Sequence, residues 1–399
     1  MNHLLVQEFE NELSETIAYW AKYALDNENG GFYGQIENDN TVVAHADKGA
    51  VLNARILWFF SAVYNYSLLP EDLDLARRSY EYLREHFIDS EFGGVYWSLD
   101  FKGKPLDTKK QVYALSFAIY GLSEYYKASK NEEALALAKT LYTDIEKHSF
   151  DPINKGYFEA FSREWNELAD LRLSDKDANE KKTMNTHLHV LEAYSNLYSV
   201  WPNETLGKQI HNLLSVFVHR IIDKHTHHLK LFFDENWHSK SDAISFGHDI
   251  EASWLLLEAA ELLGDKDLIR QFEDIAIKMA NAAIRGLDVN GGLNYELEHN
   301  HWNKEKHWWV QAEAMVGFFN AFQLTSEQIY NQHFVRCWEF TKAHILDVVN
   351  GEWFWGVDEK LVLMPQQYKV GIWKCPYHNG RAYLEMIKRL NKNYHSRNL

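Results

Sequence analysis

Cysteine is nearly absent from this chain. Cys337 and Cys375 are the only two in 399 residues, far apart and in no metal-ligand spacing. Neither a disulfide framework nor a zinc cluster is indicated. Proline is scarce as well, with six residues, and no Ser/Gly-rich run occurs, so no linker divides the chain. Positive charge is in deficit. A net charge of −16 argues against nucleic acid or an anionic membrane surface as partner. No stretch is long and apolar enough to span a bilayer. The acidic segment Met1–Glu15 lacks the apolar core of a signal peptide, so a cytoplasmic, reducing location is expected.

Aromatic residues and histidine are abundant: 14 Trp, 22 Tyr, 22 Phe and 20 His. Aromatic wealth usually means core packing, and it also supplies flat platforms for sugar rings. A figure of glycine followed by aromatics recurs along the chain, as in Gly30-Gly31-Phe32-Tyr33, Gly93-Gly94-Val95-Tyr96-Trp97 and Gly291-Gly292-Leu293-Asn294-Tyr295. Equivalent positions 31, 94, 156, 231, 292 and 351 are spaced by 63, 62, 75, 61 and 59 residues. Such a period fixes the architecture before any other feature is read.

Before each figure lies an amphipathic helical pattern. In the first, Leu5, Phe9, Leu13, Ile17, Trp20 and Ala24 form one apolar stripe,. Similar patterns occupy 71–88, 132–147, 205–223, 266–285 and 326–347. After each figure comes a run that is apolar nearly all round, beginning with Ala50–Phe60 and continuing near 109–127, 183–200, 247–263, 307–323 and 376–391. A helix apolar on every side is buried on every side. One half-exposed and one buried helix, six times over, predict an all-α (α/α)6 barrel spanning 1–399 as one catalytic domain. The glycine figures become short hairpins at one end. The one long polar insertion, about 164–182, is a candidate flap over the mouth.

Polar side chains stand in the early turns of the buried helices: Arg55, Tyr113, Asn185 with His189, His248 with Glu251, Trp308 and Trp309 with Glu313, and His378 with Arg381. Burying any one of them unpaired is costly. A single buried histidine is ordinarily a hydrogen-bonded core residue. Histidine, arginine and carboxylate converging from five or six helices instead mark a site. His187, two residues from His189, faces away on a helix and reads as structural. His248 and Glu251 share a helix face, as in di-iron bundles, but no matching carboxylate set accompanies them, so no metal is expected.

The stretches Asn53–Trp58, Met184–Tyr194, Gly247–Trp254, Trp308–Ala314 and Trp373–Arg381 resemble, in order, the signatures of the cellobiose 2-epimerases, within the N-acylglucosamine 2-epimerase superfamily. The resemblance covers nearly the whole chain. It implies a cofactor-free isomerase that inverts C2 of the reducing-end glucose or mannose of a β-1,4-linked disaccharide such as cellobiose or lactose. Removing the C2 proton requires the open-chain sugar, where C1 takes up charge as an enediol, with a base on one face and an acid on the other. Imidazole suits both roles near neutrality. The resemblance implies these roles for His248 and His378, with His378 also helping to open the ring. Arg55 and His189 would stabilise O1 and O2, and Glu251 would orient His248. Trp308, Trp309 and Trp373 would stack on pyranose faces, while Tyr113, Asn185 and Asp177 contact hydroxyls.

Other chemistries share this scaffold. Inverting hydrolases need two carboxylates roughly 6.5–9.5 Å apart, whereas this mouth carries histidines with Glu251 and Glu313. A sugar-binding protein would not need paired histidines. A monosaccharide 2-epimerase for mannose or N-acylglucosamine, or an aldose–ketose isomerase, is the nearer alternative. The expected partner is a disaccharide substrate, with the chain a monomer or a weak homodimer.

Overall fold

A computed structural model describes residues 2–396. Among them are twelve α-helices: α1 (Asn2–Tyr23), α2 (Ala50–Ser67), α3 (Pro70–Tyr82), α4 (Val112–Ser129), α5 (Glu132–His148), α6 (Met184–Val200), α7 (Glu204–Val216), α8 (Phe246–Leu263), α9 (Lys266–Ile284), α10 (Trp308–Thr325), α11 (Gln328–His344) and α12 (Tyr377–Ser396). The even-numbered helices pack each on the next, and α12 packs back on α2, so the inner ring closes. The odd-numbered helices lie outside it: α1 packs on α12, and α3, α5, α7, α9 and α11 each pack on the inner helix before them. This is the (α/α)6 barrel that the two alternating patterns predict.

Local chemistry starts and spaces these helices. Asn131, Asn203 and Asp265 accept backbone N–H groups at the starts of α5, α7 and α9, satisfying donors a helix leaves free. Pro70 opens α3, where its fixed φ is already helical. The inner ring needs close approach. A Cβ on Gly121 of α4 would lie 2.6 Å from the Ala54 carbonyl oxygen of α2.

Short strands stitch one repeat to the next at the mouth. Each of the first five inner helices is preceded by a two-residue strand that pairs with the loop of the following repeat, as Lys110–Gln111 does with Ala160–Phe161. A bridge between Ile36 and Val370 joins the first repeat to the last. Every glycine figure is preceded by an aspartate that sequence reading did not single out. Asp26, Asp89, Asp151, Asp223 and Asp347 each accept the backbone N–H three residues on. In five repeats the strand or loop before the inner helix sends in a buried lysine: Lys48 to Asp26, Lys110 to Asp89, Lys182 to Asp151, Lys306 to Asp288 and Lys369 to Asp347, at 2.7–2.9 Å.

The fourth repeat differs. Its bridge joins Ile222 to Leu229, so the turn lies at His227–His228, about three residues before the expected Leu231. No glycine marks it. His227 itself adopts a φ of 60°, and Ile244 stands where other repeats carry lysine. Among the described residues no helix is long and apolar enough to cross a membrane.

Candidate active site

The first turns of the six inner helices point polar side chains into one cavity of about 410 Å³. Arg55 comes from α2, Tyr113 from α4, Asn185 and His189 from α6, His248 and Glu251 from α8, Trp308 and Trp309 from α10, and His378 from α12. Trp373 enters just ahead of α12. Leu173–Asp177 of the insertion close one side. The eleven residues given a catalytic or binding role from sequence all line this one cavity, whereas Glu313 and Arg381, named beside them, do not.

The insertion is tied down at its start and near its middle. Arg163 forks onto Asp89, the Trp165 indole donates to the Phe92 carbonyl, and Gln111 donates to the Leu171 and Arg172 carbonyls. The mouth is therefore a built wall. Asp177 accepts the Ser174 N–H and hydroxyl through Oδ2, which leaves its other oxygen for a ligand.

The histidines are held by Nδ1. Nδ1 of His378 lies 2.7 Å from Oε1 of Glu313, and Nδ1 of His189 lies 2.8 Å from Oε2 of Glu192. Nδ1 of His248 meets Ser245 Oγ at 2.8 Å. The Trp309 ring packs against both outer members of this set, 4.7 Å from the His248 ring and 5.8 Å from that of His378. Burial pushes the His248 imidazole down to about 3. His378 is also driven well below its ordinary value, by burial and then by the guanidinium groups of Arg55 and Arg381. Both rings therefore stand neutral near pH 7.

Arg55 is buried, at 3% exposure. Its guanidinium donates to the Tyr113 hydroxyl at 2.8 Å and lies over the Phe117 and Tyr377 rings, 4.1 and 4.6 Å from their centres. No carboxylate lies within ion-pair distance of it among the described residues. A buried cation without a counter-ion is costly, and here it faces the cavity. Asn185 Oδ1 is likewise without a protein partner.

A model of the N-acylglucosamine 2-epimerase (GlcNAc 2-epimerase) family matches residues 31–382. The chain belongs to the N-acylglucosamine 2-epimerase family. It is a carbohydrate epimerase, in the isomerase class. Over 390 residues it is 53% identical to a cellobiose 2-epimerase of Bacteroides fragilis, covering 97% of this chain and 100% of that one. A cellobiose 2-epimerase of Ruminococcus albus is 42% identical, with 97% and 99% covered. The solved cellobiose 2-epimerase of Bacillus thermoamylovorans superposes with a TM-score of 0.92 at 41% identity, covering 97% of this chain and 100% of that one.

One expectation about this epimerase needs correction. Glu251 does not orient His248. Side chains on a helix lean toward its N-terminus, so His248 reaches back to Ser245 and Glu251 lies a turn deeper. Glu251 Oε1 accepts from Arg381 at 2.7 Å and comes only within 4.0 Å of His378 Nδ1. Burial, with Glu313 beside it, raises Glu251 to about 7. The acids at the site also number one more than expected. Glu192, three residues from His189, carries a signal the sequence held, since i,i+3 puts the two side by side. Burial would raise Glu192, but Arg381 and His189 outweigh it and hold the carboxyl at about 2.

His187 is structural, as its spacing implied. Its Nδ1 meets the Thr183 carbonyl and its Nε2 accepts the Tyr157 N–H. Ligand atoms of Glu251, Glu313 and His378 lie within 4.8 Å of one another, a set able to hold a cation. The Arg381 guanidinium already bonds both carboxylates of that set, taking the place a metal ion would have. Both cysteines are buried and free.

Proposed function

We propose that this enzyme inverts C2 of the reducing-end glucose or mannose of β-1,4-linked disaccharides such as cellobiose and lactose, by proton transfer between His248 and His378. The observation that carries the reading is the pairing of two neutral imidazoles across one indole. They come from different inner helices, each is tied through Nδ1, and Nε2 of each is left for the cavity. The full-length relatives named cellobiose 2-epimerase support the disaccharide.

In the open-chain sugar one Nε2 lone pair takes the C2 proton, and the electron pair moves into C1–C2 to form the enediol. The charge that develops at O1 and O2 faces Arg55 and His189, donors already in position, so little reorganisation is required. The second imidazole, neutral at rest, takes a proton from solvent on Nε2 as charge builds on the enediolate and delivers it to the opposite face of C2. The first ring gives the proton it took up to solvent, so both rings end neutral. For His378 the tautomer is set. Glu313 already accepts from Arg381 and from the Trp254 indole, so it accepts from Nδ1–H and leaves a lone pair on Nε2. The Ser245 hydroxyl can donate or accept, so His248 is free to act in either protonation state. His378, carrying the lone pair and facing the reducing end, also serves to open the ring.

The experiment is a proton NMR time course in heavy water with cellobiose, lactose, mannose and N-acetylglucosamine in turn. The expected product from cellobiose is glucosyl-mannose carrying deuterium at C2. Release of free glucose, or epimer without deuterium at C2, overturns the reading.

A further inference from the structure

We propose that Arg381 is the positioning residue of this site, its guanidinium aiming His189 and His378 through the carboxylates that hold them. The inference rests on the epimerase reading and adds to it a residue that does not itself line the substrate cavity.

Arg381 is 3% exposed and sits on α12, one turn below His378. One of its terminal nitrogens donates to Glu192 and to the Tyr377 hydroxyl. The other donates to Glu251 at 2.7 Å and to Glu313 at 2.6 Å. Glu192 in turn holds His189, and Glu313 holds His378. A single planar cation thus ties α6, α8, α10 and α12 together behind the chemistry. Its plane is pinned between two rings, 4.3 Å from the centre of Tyr377 and 4.8 Å from that of Trp254.

Charge explains why a cation must stand there. Glu192, Glu251 and Glu313 are all buried, and carboxylates crowded without a counter-ion take up protons. A protonated Glu313 could offer Nδ1 of His378 a donor where it now offers an acceptor, and the lone pair would leave Nε2. Geometry explains why the cation is arginine. A rigid fork serves four acceptors at fixed angles, which the compact ammonium of lysine cannot do.

The back of Arg381 is reachable. A second cavity of about 490 Å³, at the other end of the inner helices, has Arg381, Glu192 and Trp254 in its wall. Nε of Arg381 has no protein partner. Removing the side chain would open this cavity onto the three carboxylates, so a small soluble cation can replace what was removed.

The test compares Arg381→Ala and Arg381→Lys with the wild-type enzyme, following cellobiose epimerisation and deuterium uptake at C2. The expected loss for Arg381→Ala is on the order of 10²-fold in kcat, with KM changed less than about threefold because the cavity lining is untouched. Guanidinium chloride at about 20 mM should restore at least about tenfold, since it returns the fork. Arg381→Lys should fall between, keeping charge without the fork. The acid limb of the pH profile should move upward in Arg381→Ala. His378 faces Arg55 of α2, His189 of α6, His248 and Glu251 of α8, Glu313 of α10 and Arg381, and losing one cation of that set makes it easier to protonate.

An Arg381→Ala enzyme that folds by circular dichroism and keeps kcat within about threefold overturns the proposal. So does a loss that guanidinium leaves unchanged with an unmoved acid limb, which is the mark of a structural role. If Arg381→Ala does not fold, a fully active Arg381→Lys overturns it. NMR titration of the imidazoles separates this proposal from the reading it rests on. A shifted His378 titration in the folded variant supports positioning even if the wild type puts no deuterium at C2, and an unshifted one overturns it.

Discussion

The imidazole of His378 is held by a carboxylate on another helix: its Nδ1 lies 2.7 Å from Oε1 of Glu313, across the interface between α12 and α10. The imidazole of His248 is held by a hydroxyl on its own chain segment, Ser245, three residues back. The two supports differ in kind. A carboxylate fixes one tautomer, and a hydroxyl permits both. The proposed roles differ in the same way, and each contact has a separate experimental consequence.

His248→Ala and His378→Ala should each reduce epimerisation on the order of 10²–10⁴-fold, the range for loss of a general acid or base. Deuterium exchange at C2 should fall in parallel. A variant retaining activity within about tenfold would remove that histidine from the proposed pair.

Ser245→Ala tests the corrected support of His248. Losing one hydrogen bond of roughly 1 kcal/mol should lower kcat about fivefold while KM for cellobiose stays put. The deficit should be largest in the direction that uses His248 as base. An unchanged kcat in both directions would mean that Trp309 packing alone aims the ring.

Trp373→Ala addresses the second sugar ring. Trp373 lies half-buried at the edge of the cavity, its ring 5.7 Å from that of Trp97 and 6.2 Å from that of Tyr113. Aromatic stacking contributes about 0.5–1.5 kcal/mol, so KM for cellobiose should rise by about two- to tenfold, with much less effect on residual turnover of mannose. Equal losses on both substrates would assign Trp373 to the reacting ring.

Acid should unfold this enzyme, and the sign follows from the buried groups. Burial holds His187 and His248 at about 3, against about 6.5 in the unfolded chain. Below about 6.5 the unfolded state therefore binds protons the folded state refuses, and stability falls with pH. Burial raises Glu159 to about 8 and Glu251 to about 7. These contribute stability that is full below the unfolded value and lost as pH rises, so they offset the histidines down to about 4.5. Below about pH 4.5 these two glutamates no longer offset the histidine loss. Urea denaturation at pH 7, 5.5, 4.5 and 3.5 should show the steep fall in the last interval. A flat profile there would contradict the burial of neutral histidine.

Prolonged EDTA treatment should leave activity unchanged, because Arg381 occupies the position among Glu251, Glu313 and His378 that a metal would take. Activity lost to EDTA and restored by a divalent ion would make those three residues ligands.

The alternation of half-apolar and fully apolar helices was legible in the chain because burial acts on composition residue by residue. Leu5, Phe9 and Leu13 recur with one face, Ala50–Phe60 with every face, and that difference alone separates an outer ring from an inner one. The cavity lining was legible for the same reason. Arg55, His189, His248 and His378 stand in segments that are otherwise apolar on nearly every side, where a polar side chain is costly to bury unpaired. The turn at His227–His228 was not legible, because a histidine there takes the backbone angle that glycine marks elsewhere.

Sequence by itself determined the barrel, its mouth and the polar side chains that the inner helices send into it, since each follows from local periodicity and from the cost of burying polar groups. Tyr295, His307, Trp355 and Tyr368 joined the lining only through the fold. Tertiary structure alone decided how those side chains are held. Glu313 meets His378 across 65 positions of chain, and Arg381 reaches Glu192 across 189. Spacing along one helix paired His248 with Glu251, yet the lean of the side chains gave that histidine to Ser245. The carboxylate went instead to the guanidinium at the barrel centre. Contacts between helices depend on which faces meet when the ring closes, and no period in one segment carries that information.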